Sequence, residues 1–92
     1  MKYRNSTQMM ADVLQSVRDE GMQGIKVTAL MRKANTDHNR LGLCTSKLFG
    51  IGLINEIVVE KRKVWVITEK GTMFLEEYKK FDDFAKTMGL EL

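Results

Sequence analysis

Apolar residues near the start of the chain recur at helical intervals: Met10, Val13, Leu14 and Val17 fall on one side of a helix spanning about Thr7 to Glu20. Ser6 or Thr7 can cap it. Gly21 and Gly24 interrupt the pattern, Ile25 and Val27 are spaced for a very short strand, and Thr28 can cap a second helix carrying Leu30 and Met31. Asn35 reads as a turn. Leu41, Cys44, Leu48 and Ile51 then stand at offsets 0, 3, 7 and 10, the buried stripe of a third helix from Thr36 to about Phe49. His38, Asn39, Arg40 and Lys47 fall largely outside that stripe.

Gly50 and Gly52 offer two places for the left-handed residue that ends a helix, with Leu53 or Ile54 covering the last turn. Branched residues dominate Leu53 to Glu60 and Val64 to Thr68, two strands whose connection, Glu60 to Lys63, makes a hairpin end. Gly71 separates the pair from a final helix over about Thr72 to Met88, where Phe74, Tyr78, Phe81, Ala85 and Met88 keep a three-to-four-residue beat. The order is α, short β, α, α, β, β, α, an α+β class. Trp65 is expected to cover one face of the hairpin while Val64 and Val66 face the other, and Met9, Met10 and Met73 read as packing groups.

Ninety-two residues, 43% hydrophobic and 29% charged, suit one folded domain over 1–92, with the last helix available for packing or dimerisation. The net charge is only +3, but Met1 to Gly71 holds 12 basic against 7 acidic residues, while Thr72 to Leu92 holds 3 against 5. A basic body can hold phosphate, and the acidic final helix belongs away from it. The lone Cys44 excludes an internal disulfide, and no apolar run resembles a secretory or membrane-spanning segment, so a cytoplasmic or nucleoid-associated location is expected.

The three-helix body, the exit Gly52, Leu53, Ile54, and the phrase "VWVITEKG" followed by "TMFLEEYKKF" resemble archaeal winged helix-turn-helix proteins of the Sso10a-like and ArnR-like groups. The resemblance covers nearly the whole chain. It implies duplex DNA binding, with the third helix in the major groove, the hairpin as a wing on the backbone or minor groove, and a homodimer formed by the last helix. On this chain it implies DNA contacts from Thr36, His38, Asn39, Arg40 and Lys47 and from the wing tip Lys61, Arg62 and Lys63. Phe74, Tyr78, Phe81, Ala85 and Met88 become the dimerisation residues.

The residues themselves point the same way. Arg40 offers a fork to phosphate or guanine, Asn39 can pair with adenine, and Thr36 at a helix start can hold a phosphate. Lys61, Arg62 and Lys63 form the strongest electrostatic group, with Lys26, Arg32, Lys33 and an arm of Lys2 and Arg4 as extensions. Asp37 stands near the start of the proposed reading helix, where it can cap, and Gly42 weakens the helix interior. Catalysis, a metal or a cofactor is not expected: His38 and Cys44 do not share a helix face, Glu56 and Glu60 are ordinary exposed-strand carboxylates, and no zinc-ligand or phosphate-loop pattern is present. The alternatives are a protein-interaction module built on the same fold and a non-specific architectural chromatin protein.

Overall fold

A computed structural model describes residues 5–90. Helix α1 spans Ser6–Glu20, and a single 3-10 turn, Gly21–Gln23, leads to α2 (Val27–Lys33). Helix α3 (His38–Gly50), strands β1 (Ile54–Val59) and β2 (Arg62–Ile67), and helix α4 (Glu69–Thr87) complete the order expected from the pattern. Lys2 and Arg4 lie outside the described residues.

The cap of α1 is Asn5, one residue before the expected Ser6. Its side chain accepts from the Gln8 amide while the Gln8 side chain accepts from the Asn5 amide, so two orphan donors are satisfied reciprocally. Val13, Leu14 and Val17 are fully buried and meet Leu30, Leu41, Leu48, Ile54 and Leu75 in one core. The short strand reduces to one bridge, in which Ile25 exchanges both backbone hydrogen bonds with Trp65. Val27 is already helical, so Thr28 lies inside the first turn of α2 and caps nothing.

The end of α3 is built by backbone bonds. Leu53 N–H donates to the Leu48 carbonyl and Gly52 N–H to that of Phe49, with Gly52 at φ 82°, the Schellman closure in which glycine takes a left-handed conformation cheaply. Leu53 thereby covers the last turn at 2% exposure, and Ile51, expected to extend the buried stripe, is displaced outward to 48%.

Strands β1 and β2 pair antiparallel from Ile54 with Ile67 to Val59 with Arg62. The turn between them is only Glu60 and Lys61, at φ 50° and 67°, shorter than the expected Glu60 to Lys63 connection. Arg62 and Lys63 are therefore strand residues on opposite faces. Trp65 shares its face with Lys63 and meets Phe49 with ring centroids 5.9 Å apart, whereas Val64 is buried on the other face.

Helix α4 begins three residues earlier than expected because Gly71 is inside it. A side chain there would stand 2.1 Å from the Leu53 carbonyl oxygen, so the glycine permits close contact and separates nothing. Thr68 caps the helix by accepting from the Gly71 amide and donates its hydroxyl to the Gly52 carbonyl, while Lys70 Nζ reaches the Ile51 carbonyl at 2.8 Å. The two short stretches that carried the family resemblance thus touch one another. Along α4 the expected single stripe divides. Ala85 is buried at 1% exposure and Tyr78 packs against the core, so Ala85 is not an exposed dimerisation residue. Burial, with Asp82 and Asp12 nearby, pushes the Tyr78 phenol above its ordinary pKa. Phe74, Phe81 and Met88 do face outward, joined by Met73 and Phe84, which the single-stripe pattern had missed.

Candidate nucleic-acid interface

The axis of α3 is fixed by its buried side, Leu41, Cys44, Thr45 and Leu48. At 3.6 residues per turn, the row opposite that side is Asn39, Leu43, Ser46 and Gly50. Arg40 and Lys47 share one flank of this row, and Gly42 and Phe49 share the other, toward Trp65 of the hairpin. Asn39, Arg40, His38 and Lys47 are all exposed, as expected. Leu43 was missed because a search for polar hydrogen-bonding residues passes over an exposed leucine, and Ser46 was not singled out either.

Asp37 is the N-cap of α3, accepting the Arg40 amide at 2.8 Å and standing 3.6 Å from the Arg40 guanidinium. It thus helps fix the helix start and partly occupies Arg40. Thr36 differs from its expected role. Its hydroxyl oxygen is enclosed and has no hydrogen-bond partner among the described residues, so it cannot reach a surface phosphate in this conformation.

The wing residues separate in the same way. Lys61 occupies the turn itself. Arg62 lines an open groove with Lys26, Gln23, Gly24, Val59, Glu60 and Val64, on the face away from Trp65. Lys63 is 4.0 Å from Glu56, across the hairpin. The three cations expected at one tip are therefore divided between the turn and the two faces of β2.

Ion pairing sorts the remaining cations by element. On α1 and α4, Arg18 meets Glu76 at 3.6 Å, Lys80 meets Glu77 at 3.3 Å, Lys86 meets Asp82 at 2.9 Å, and Lys79 donates to Gln15. Lys33 at the end of α2 meets Glu20 at 3.4 Å. Lys26, Arg32, Lys47, Lys61 and Arg62 make neither an ion pair nor a side-chain hydrogen bond among the described residues, whereas Lys70 and Lys79 of α4, also without an ion pair, donate to the Ile51 carbonyl and to Gln15. No group of three or more potential metal-ligating residues occurs among the described residues. No described helix is long and apolar enough to cross a membrane.

Three tightly packed helices followed by a two-stranded hairpin and a closing helix define a winged helix-turn-helix. The family model for "Winged helix-turn-helix" matches residues 3–86, and the chain belongs to that family. Among solved structures it is similar to Sso10a-2, a DNA-binding protein from Sulfolobus solfataricus, at 21% identity and TM-score 0.71, with 94% of this chain and 90% of that one covered. SSV1 F-93 gives 22% identity and TM-score 0.69, covering 96% and 97%. A point mutant of MepR from a multidrug-resistant S. aureus clinical isolate gives 17% and 0.72, covering 87% of this chain but 60% of that one. A search of curated proteins finds no match.

Proposed function

We propose that the protein binds duplex DNA as a transcriptional regulator of the Sso10a-like branch, with α3 against the major groove and the hairpin as a wing on the flanking backbone or minor groove. The observation that carries this reading is the partition of cations. A cation without a partner releases DNA counterions without first surrendering an intramolecular contact, and the cations with neither ion pair nor hydrogen-bond partner, Lys26, Arg32, Lys47, Lys61 and Arg62, lie from the start of α2 to the hairpin, where Lys33, Arg40 and Lys63 are ion-paired. Asn39 and Lys47 supply polar contacts from α3, Arg40 does so in competition with Asp37, and His38 stands at the same helix start. Lys61 and Arg62 are the wing contacts, with Lys63 secondary because Glu56 partly neutralises it. Sso10a-2, of similar fold, is a DNA-binding protein, which agrees with the reading.

The protein acts as a homodimer in this proposal. Phe81, Phe84 and Met88 are 54%, 65% and 63% exposed on one side of α4, an apolar row that a second copy can bury. A cytoplasmic or nucleoid-associated location accompanies the proposed DNA role.

The deciding experiment is duplex binding across a salt series for the parent and for Lys61→Ala/Arg62→Ala, which leaves the Lys63–Glu56 contact in place. The expected result is salt-sensitive parental binding, weakened in the variant, with the slope of log K against log salt reduced by about 1 to 2. Salt-sensitive binding without any sequence preference would assign an architectural role. A folded parent with no binding at low salt would replace DNA with a protein partner.

A further inference from the structure

The outward row of α3 has an apolar centre. Leu43 is 75% exposed, stands one helical turn after Asn39 and just under one turn before Ser46, and is absent from the hydrophobic core cluster. Gly42 beside it carries no side chain, and a carbon added there would meet no heavy atom of another element within 4 Å, while Arg40 and Lys47 stand on the opposite flank. The row is therefore open on the Gly42 flank, and a flat groove floor can approach Leu43 closely from that side. Lys47, on the flank of the row, and the wing cations supply the charge that brings a phosphate backbone alongside.

Base edges in the major groove present hydrogen-bonding groups with one apolar exception, the C5 methyl of thymine. Leucine has nothing to offer a donor or an acceptor and would strip water from either. We propose that Leu43 is a specificity-determining residue that packs against thymine methyl groups and gives the protein a preference for duplexes with thymine at the centre of its site. The inference rests on the DNA reading above and adds to it the kind of base that α3 selects. Asn39, on the same row, is placed to read a neighbouring base pair, and Ser46 tolerates several bases because a hydroxyl both donates and accepts.

The test begins with selection of preferred duplexes from a random pool by the full chain. Each thymine of the selected duplex is then replaced singly by deoxyuridine, which removes only the methyl group. Deoxyuridine at one or two positions is expected to weaken the parent about fourfold, the worth of one buried methyl. Leu43→Ala should bind the thymine duplex more weakly by a similar factor, ignore the uracil substitution, and keep the parental salt slope because no charge has changed. Its circular dichroism should match the parent, since Leu43 is not a core residue.

A parent indifferent to uracil at every position, or a Leu43→Ala variant as sensitive as the parent, would overturn the proposal. So would salt-sensitive binding from which selection returns no preferred duplex. Each of those results leaves DNA binding itself intact. Absence of salt-sensitive binding removes the DNA reading and this proposal together.

Discussion

A methyl group at Gly71 would lie 2.1 Å from the backbone oxygen of Leu53, and neither atom belongs to a flexible side chain that can swing away. Gly71→Ala is accordingly expected to destabilise the protein by about 1–3 kcal/mol, the usual cost of overpacking at a rigid contact. Gly42 is the counterpart. It is also helical, but its added carbon would meet nothing within 4 Å, so Gly42→Ala is expected to stabilise the fold by about 0.5–1 kcal/mol through helix propensity alone. Urea unfolding of both variants checks the pair; a stability loss for Gly42→Ala would mean that α3 is packed more tightly on that side than the structure shows. From the sequence, Gly71 was expected to separate hairpin from helix and Gly42 to weaken a helix interior. Nothing local distinguishes them, because the difference lies in whether Leu53, just before β1, approaches, which is a tertiary fact.

At the scale of the element, the hairpin turn holds two non-glycine residues, Glu60 and Lys61, at positive φ. A two-residue turn with both φ positive is type I′, which asparagine followed by glycine satisfies best, whereas other L-residues in the left-handed region cost about 1–2 kcal/mol each. Lys61→Gly should therefore raise stability by about 1 kcal/mol while weakening DNA binding, since it relieves one left-handed L-residue and removes the cation that the turn holds at the tip. Thermal unfolding and a binding titration on the same variant measure both effects, and stabilisation with unchanged binding would remove Lys61 from the proposed interface. The absence of any asparagine-glycine signal is also why the turn was expected to be longer. Helices and strands were legible because their periodic patterns survive a shift of one or two residues at the ends. The site was legible only as a list of exposed polar residues on α3 and the hairpin. Its orientation was not, since Thr36 turns inward, Arg62 and Lys63 part across the strand, and Leu43 takes the outward centre of α3 only once the buried side of that helix is known.

For the whole molecule, the division of α4 into two stripes decides what a second copy could meet. On the inward stripe Leu75 and Tyr78 join the core, and Gly71 and Ala85 are buried. The outward row contains Phe74, Glu77, Phe81, Phe84 and Met88, alternating steps of three and four residues as in a coiled-coil seam, with one charged residue among four apolar ones. Two such rows in contact would bury aromatic surface from both copies and leave Glu77, paired with Lys80 at 3.3 Å, as the polar position that limits register. Phe81→Asp/Phe84→Asp is expected to reduce the mass seen by analytical ultracentrifugation from twice to once the 10.6 kDa chain, with helical content unchanged because neither ring is in the core. Its DNA affinity should fall too, since two α3 helices on a symmetric dimer bind two half-sites as one event. Glu77→Leu should strengthen association through the opposite change, the removal of a charge from an apolar seam. A parent sedimenting as a single chain at every concentration would leave the α4 row to a different protein, and the proposed DNA surface on α3 and the wing would then act one half-site at a time.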